Sequence, residues 1–141
     1  MLKVALGRTY VRRKKGVIFD VERIIIHGSY KKTNNVLYND IGKFLNQLLK
    51  ATVKLLDRNL CKKPEIYGNL LGENMICAGY LKGGSADACK GDSGGPLSCV
   101  RNGKRYLYGI ISWGISCGMK NKPGVYLNVT KFLDWIKRYI Q

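Results

Sequence analysis

Gly91-Asp92-Ser93-Gly94-Gly95-Pro96 places one serine among three glycines. Acyl transfer to a serine needs an anion hole, because the oxyanion of a tetrahedral intermediate is held best by two preorganised backbone N–H groups. Gly91 lets its amide turn inward without a Cβ clash, and Gly94 and Gly95 allow close backbone approach on the other side. The stretch predicts Ser93 as a nucleophile, with the amides of Gly91 and Ser93 as the hole. Its other reading is a glycine-rich turn with no chemistry.

Further blocks follow in order. Upstream of the serine lie Leu2 to Gly7, Phe19 to Ile26, Tyr38 to Gly42 and Met75-Ile76-Cys77-Ala78-Gly79-Tyr80. Asp87-Ala88-Cys89-Lys90 leads into the hexapeptide, and Ser112-Trp113-Gly114, Pro123-Gly124-Val125-Tyr126 and Phe132-Leu133-Asp134-Trp135-Ile136 follow it. With these blocks the chain resembles the trypsin-like (chymotrypsin-fold) serine endopeptidases. Residues 51–61 and 106–135 look most similar to the group of the plasma hyaluronan-binding protease and the plasminogen activators.

The resemblance implies an all-β fold of antiparallel β-barrels closed by a C-terminal α-helix. Residues 1–42 would be a remnant of the first barrel and 51–141 a nearly complete second barrel, together a truncated peptidase domain. It implies disulfides Cys61–Cys77 and Cys89–Cys117, with Cys99 left over. Asp87 would form the floor of the substrate pocket, where a buried carboxylate selects an Arg or Lys side chain because a neutral group leaves the charge unpaired. Ser112, Trp113, Gly114 and Gly124 would line that pocket. Taken alone, Asp87 also reads as a surface-loop aspartate.

Asp92 matches the residue that pairs with the N-terminus released on activation, and it is expected to be unpaired here, with a disordered hole. Asp40 matches the aspartate that orients the catalytic histidine; it also reads as a turn residue. The Ala-Ala-His-Cys block that carries this histidine is absent, as is the Ile/Val-Val-Gly-Gly start. The sole histidine, His27, lies thirteen residues before Asp40 and outside that context, and reads as a structural or surface residue. Serine is a weak nucleophile without a base. The parent is therefore expected to cleave after Arg or Lys, and this chain alone to be inactive.

Five cysteines in 141 residues fit an oxidising compartment if paired, and a secreted, extracellular setting follows from the resemblance. Five reduced, buried thiols are the alternative. A chain of this length makes one domain, burying roughly 68–70% of its unfolded surface, whereas the family needs two barrels. No secretory leader is read: Leu2 to Gly7 is too short for an apolar core and runs into Arg8, Arg12, Arg13, Lys14 and Lys15.

The chain carries 25 Lys+Arg against 9 Asp+Glu, a net charge of +16. The cluster Arg12, Arg13, Lys14 and Lys15 makes a field that attracts a heparin-like polyanion, or is a solvated basic face. In some family members carboxylates in the corresponding loop hold calcium; with Arg-Arg-Lys-Lys there, neither calcium nor any other metal or cofactor is expected. No nucleic-acid motif accompanies the charge, and no apolar run spans a bilayer. The expected partners are protein or peptide substrates with Arg or Lys before the cleaved bond. The alternative is a non-catalytic module that binds glycosaminoglycan or protein through the basic patch.

Periodicity predicts short strands in residues 2–38 and again beyond Cys61. Leu45, Leu48, Leu49, Leu55 and Leu56 fit a helical period over 41–57, although the family comparison puts a strand near Ala51 to Leu55. Phe132, Trp135, Ile136, Tyr139 and Ile140 form one stripe of a terminal helix with Thr130 as its N-cap.

Overall fold

The computed structural model describes residues 3–6, 17–23, 25 and 49–140. The chain divides into two compact units, Met1–Lys50 and Ala51–Gln141. In the first, β1 (Lys3–Leu6) and β2 (Val17–Asp20) pair antiparallel from Lys3 opposite Asp20 to Leu6 opposite Val17. Both were expected from short apolar runs.

The second unit contains α1 (Arg58–Cys61) and four strands, β3 (Met75–Ala78), β4 (Pro96–Arg101), β5 (Lys104–Trp113) and β6 (Gly124–Asn128). They form one antiparallel sheet in the order β3-β6-β5-β4. Asn102 and Gly103, both at positive φ (51° and 71°), make the two-residue turn between β4 and β5. That conformation matches the right-handed twist of hairpin strands. The all-β expectation holds, with a short helix α2 (Leu133–Lys137) at the end.

The core is built on β3 and β6. Cys61, Ile66, Tyr67, Leu71, Cys77 and Val125 pack as one cluster, and Ala78, Leu97 and Tyr126 as another. Val125 is fully buried; removing a side chain of its size from water contributes roughly 1.5–3 kcal/mol. The disulfide Cys61–Cys77 ties α1 to β3, and Cys89–Cys117 ties the serine loop to the segment after β5. Each such closure contributes about 3 kcal/mol in the chain-entropy view. Cys99 is free and half-buried on β4.

Two local expectations are corrected. The helix over 41–57 does not form in its described part, residues 49–57. Leu55 instead bridges Ala78, Leu56 donates its amide to the Cys77 carbonyl at 3.1 Å, and Gly79 donates to Lys54 at 2.9 Å. The edge of β3 and the residue after it exchange these bonds with residues 54–56, so sheet pairing overrides the local period. Residues 41–48 lie outside the described set.

At the C-terminus, Thr130 is not the cap. The Asn128 side chain accepts from the Thr130 amide at 3.2 Å and from its hydroxyl at 2.7 Å, starting a 3-10 turn over Val129–Phe132 before α2. Asn128 ends β6, so its amide side chain reaches the first free N–H of the turn. Of the apolar stripe, Phe132, Trp135 and Ile136 are half-buried, while Tyr139 and Ile140 are 47% and 71% exposed.

Candidate active site

The serine loop is pinned at both ends. Gly94 donates to the Ile111 carbonyl and Ile111 donates back to Gly95, both at 2.9 Å, which fastens the loop to β5. Within the loop, Asp92 donates to Cys89 at 3.0 Å and Gly95 to Asp92 at 2.9 Å. Glycine is required twice. Gly94 sits at φ +84°, and a Cβ on Gly95 would stand 2.8 Å from the Asp92 carbonyl. Gly91 is also left-handed, at φ +92°.

Ser93 is exposed at the tip of this turn. Among the described residues none hydrogen-bonds to its hydroxyl, and neither its amide nor that of Gly91 donates to any acceptor. Two free N–H groups therefore flank a free hydroxyl.

Among the described residues no ammonium or guanidinium pairs with Asp92; its Oδ2 instead accepts the Cys89 amide at 2.9 Å. A carboxylate next to unpaired loop amides takes the nearest one. The loop keeps an ordered turn with Asp92 folded back onto it.

Asp87 lies half-buried six residues before the serine. Oδ1 accepts from the Ala88 amide at 2.8 Å and Oδ2 from Gly118 at 3.2 Å. Among the described residues no lysine or arginine forms an ion pair with it, whereas Arg58 and Lys62 both pair with Glu73. Beside it, a Cβ on Gly124 would stand 3.1 Å from Oδ1 and 3.1 Å from Cε2 and Oη of Tyr126. Gly124 has no side chain where the carboxylate and the Tyr126 ring already press against the strand. A Cβ on Gly114 would meet only the Ser116 carbonyl, at 3.8 Å.

Trp113 is half-buried between these glycines and the core. Its ring meets Tyr67 edge-on at 4.9 Å and 74°, and its Nε1 donates to the Met75 sulfur at 3.4 Å. Tyr67 in turn donates its hydroxyl to the Pro123 carbonyl. Lys122 donates to the Glu65 and Ile66 carbonyls, its ammonium 5.4 Å from the centre of the Tyr67 ring. Ser112 is exposed at the same strand end.

The tyrosines around Asp87 respond to it. Burial pushes Tyr67 up to about 12, opposed by a backbone hydrogen bond from Ile115 and reinforced by the Asp87 charge. Burial likewise pushes Tyr126 up to about 12, with Asp87 and then Asp92 adding to it. A phenolate near this half-buried carboxylate would be a second like charge in a poorly solvated place.

The structure brings Asp87, Gly124, Trp113, Gly114 and the Ser93 loop into one unit, with Cys89–Cys117 joining two of its segments. Asp40, His27 and the cluster Arg12 to Lys15 lie outside the described residues. Gly118 and Tyr67 were not anticipated. Gly118 follows Cys117 and has φ +62°, a glycine beside a cysteine being its only sequence signal. Tyr67 reaches Pro123 across 56 residues, a contact with no local signature. Among the described residues no three His, Cys, Asp or Glu side chains gather as a metal site, and no helix is long and apolar enough to cross a membrane.

Residues 41–136 match the family model described as Trypsin. The chain is similar to the hepatocyte growth factor activator serine protease of Mus musculus, 52% identical over 102 residues, covering 72% of this chain and 16% of that protein. For the Homo sapiens protein of that name the identity is 49% over 105 residues, covering 74% and 16%. For transmembrane protease serine 11G of Mus musculus it is 48% over 97 residues, covering 68% and 23%. The chain thus spans 16–23% of the length of these relatives.

Proposed function

This chain belongs to the trypsin family of serine proteases, and from that premise we propose that it carries the substrate pocket and nucleophile of a secreted endopeptidase that cleaves after Arg or Lys. Residues 51–141 are read as the second barrel and 1–42 as a remnant of the first. Ser93 is the nucleophile, the amides of Gly91 and Ser93 receive the oxyanion, and Asp40 is the orienting carboxylate of the parent. Ser112, Trp113, Gly114 and Gly124 form the pocket walls.

The observation that carries this reading is Asp87. A half-buried carboxylate with two amide donors, no cationic partner among the described residues and an adjacent side-chain-free strand position is poised for a cation from outside. A guanidinium or ammonium reaching this carboxylate supplies the missing charge, and a neutral side chain does not.

Chemistry requires Ser93 Oγ to form a bond to the scissile carbonyl carbon while its proton passes to a base, after which the C–N bond breaks and the amine leaves with that proton. The one histidine, His27, lies outside the sequence context of such a base. The chain alone therefore binds but does not turn over substrate, since losing a triad member costs several orders of magnitude in rate.

The test has two arms. Turnover of a short Arg-ended amide by the chain is expected to equal that of Ser93→Ala; activity abolished by that change refutes the inactive reading. p-Aminobenzamidine fluorescence is expected to report binding that Asp87→Asn removes, and equal binding by both refutes the pocket.

A second reading rests on the net charge of +16: a polyanion exosite at Arg12, Arg13, Lys14 and Lys15. Heparin retention should survive Ser93→Ala and fall when these four are neutralised. Unchanged retention rules it out.

A further inference from the structure

β6 runs out into Asn128-Val129-Thr130, an Asn-x-Thr triplet whose middle residue is not proline. No other asparagine of the chain has serine or threonine two residues on. Such a triplet is the acceptor signature for an N-linked glycan, carried on the surface of secreted proteins. Inside a strand it would be a chance match; here it lies where the sheet gives way to a turn.

The main chain of Asn128 belongs to the sheet. Its amide donates to the Asn74 carbonyl at 2.8 Å, and it stands opposite Gly109 on β5. Its side chain belongs to the turn: Oδ1 accepts from the Thr130 amide at 3.2 Å and from the Thr130 hydroxyl at 2.7 Å. Both bonds fall on the oxygen and leave Nδ2, the atom that carries an N-linked sugar, outside them. They join neighbours along the chain, so the segment can close this ring before the rest of the unit folds. Two donors on the carbonyl oxygen favour the form in which Nδ2 gives up a proton, and that form is the nucleophile. Asn128 is half-buried with Asn74, Thr130 and Lys131 exposed, while Val129, 6% exposed, anchors the triplet. β6 extends from Gly124, beside Asp87, to Asn128. At roughly 3.3 Å per residue its ends are about 13 Å apart, so a sugar on Asn128 stands clear of the proposed pocket.

We propose that Asn128 is an N-glycosylation site, which takes an oligosaccharide from a lipid-diphosphate donor. A bond forms from Nδ2 to C1 of the first sugar, the C1–O bond to the diphosphate breaks, and the Nδ2 proton passes to the released diphosphate. Oδ1 remains an acceptor in the product amide, so the Thr130 contacts and the turn survive. Modification of Asn128 requires the secreted setting proposed above, rests on that part of the reading alone, and fits two disulfides that call for the same oxidising compartment.

The experiment translates the full chain behind a cleavable secretory leader with endoplasmic-reticulum microsomes and reads the fraction protected from added protease. The leader supplies entry, so the outcome bears on the triplet and not on the native route of secretion. The protected chain is expected to show one mobility step that peptide N-glycosidase removes, converting Asn128 to aspartate in the mass spectrum. Asn128→Asp, which keeps an acceptor for Thr130, and Thr130→Ala should each lose the step completely. Thr130→Ser, which keeps the hydroxyl, should retain it. A protected chain without the step, or a step that persists in Asn128→Asp, overturns the proposal.

Discussion

Replacing Gly124 by alanine adds a methyl 3.1 Å from Asp87 Oδ1 and 3.1 Å from Cε2 and Oη of Tyr126. Neither neighbour can retreat easily. The carboxylate is held by the Ala88 and Gly118 amides at 2.8 and 3.2 Å, and Tyr126 is only 3% exposed. Overpacking of this kind costs about 1–3 kcal/mol. Gly124 is not at positive φ, so alanine recovers about 0.4–1 kcal/mol by restricting the unfolded chain. The net loss is roughly 1–2 kcal/mol, equivalent to a fall of about 5–10 °C in Tm for a unit of this size. The methyl also displaces the Asp87 carboxylate from its two amide donors, so p-aminobenzamidine affinity should fall at least about tenfold, the effect of ~1.4 kcal/mol. Differential scanning calorimetry and probe fluorescence read the two effects. Gly72→Ala is the control, since its Cβ would meet Met75 at 3.6 Å, an ordinary contact. A Gly124→Ala chain that melts and binds the probe like the parent refutes the assignment of Asp87 to the pocket floor.

Tyr67 and Tyr126 should ionise near 12 rather than 10, seen as tyrosinate absorbance in an alkaline titration. Because these values are raised on folding, the folded state loses stability relative to the unfolded chain as pH rises from 10 to about 12, and is unaffected by these groups below pH 10. Asp87→Asn should bring both titrations down, and an unchanged curve would show that Asp87 does not reach them. Arg58→Leu removes donors to the Met75 carbonyl at 2.6 Å and the Gly72 carbonyl at 2.9 Å; it should cost about 1–3 kcal/mol in urea unfolding. Glu73 should titrate below the usual glutamate value because Lys62 and then Arg58 stabilise its carboxylate, and Lys62→Gln should move its NMR titration upward.

Legibility followed the range of the interactions. The hexapeptide around Ser93 was readable because its constraints are local: glycines at positive φ and a close approach at Gly95 need no distant partner. Short strands at Lys3–Leu6 and Val17–Asp20 were readable for the same reason. The helix expected over 41–57 failed in its described part because Leu55 and Leu56 answer to the edge of β3, not to their own spacing. Thr130 failed as a cap because the residue that ends β6, Asn128, sits within reach of the next turn.

By itself the sequence determined the family and named candidates for the nucleophile and the pocket, since these depend on residue type at close spacing. It also determined that Cys99 would be the odd thiol, although only through resemblance. Tertiary structure alone decided that Asp87 is held by Gly118, that Asp92 turns back to Cys89, and that among the described residues β4 pairs with β5 alone. Each of these is a hydrogen bond made or left unmade once strands lie side by side, and the order of strands in a sheet is not written in any one of them.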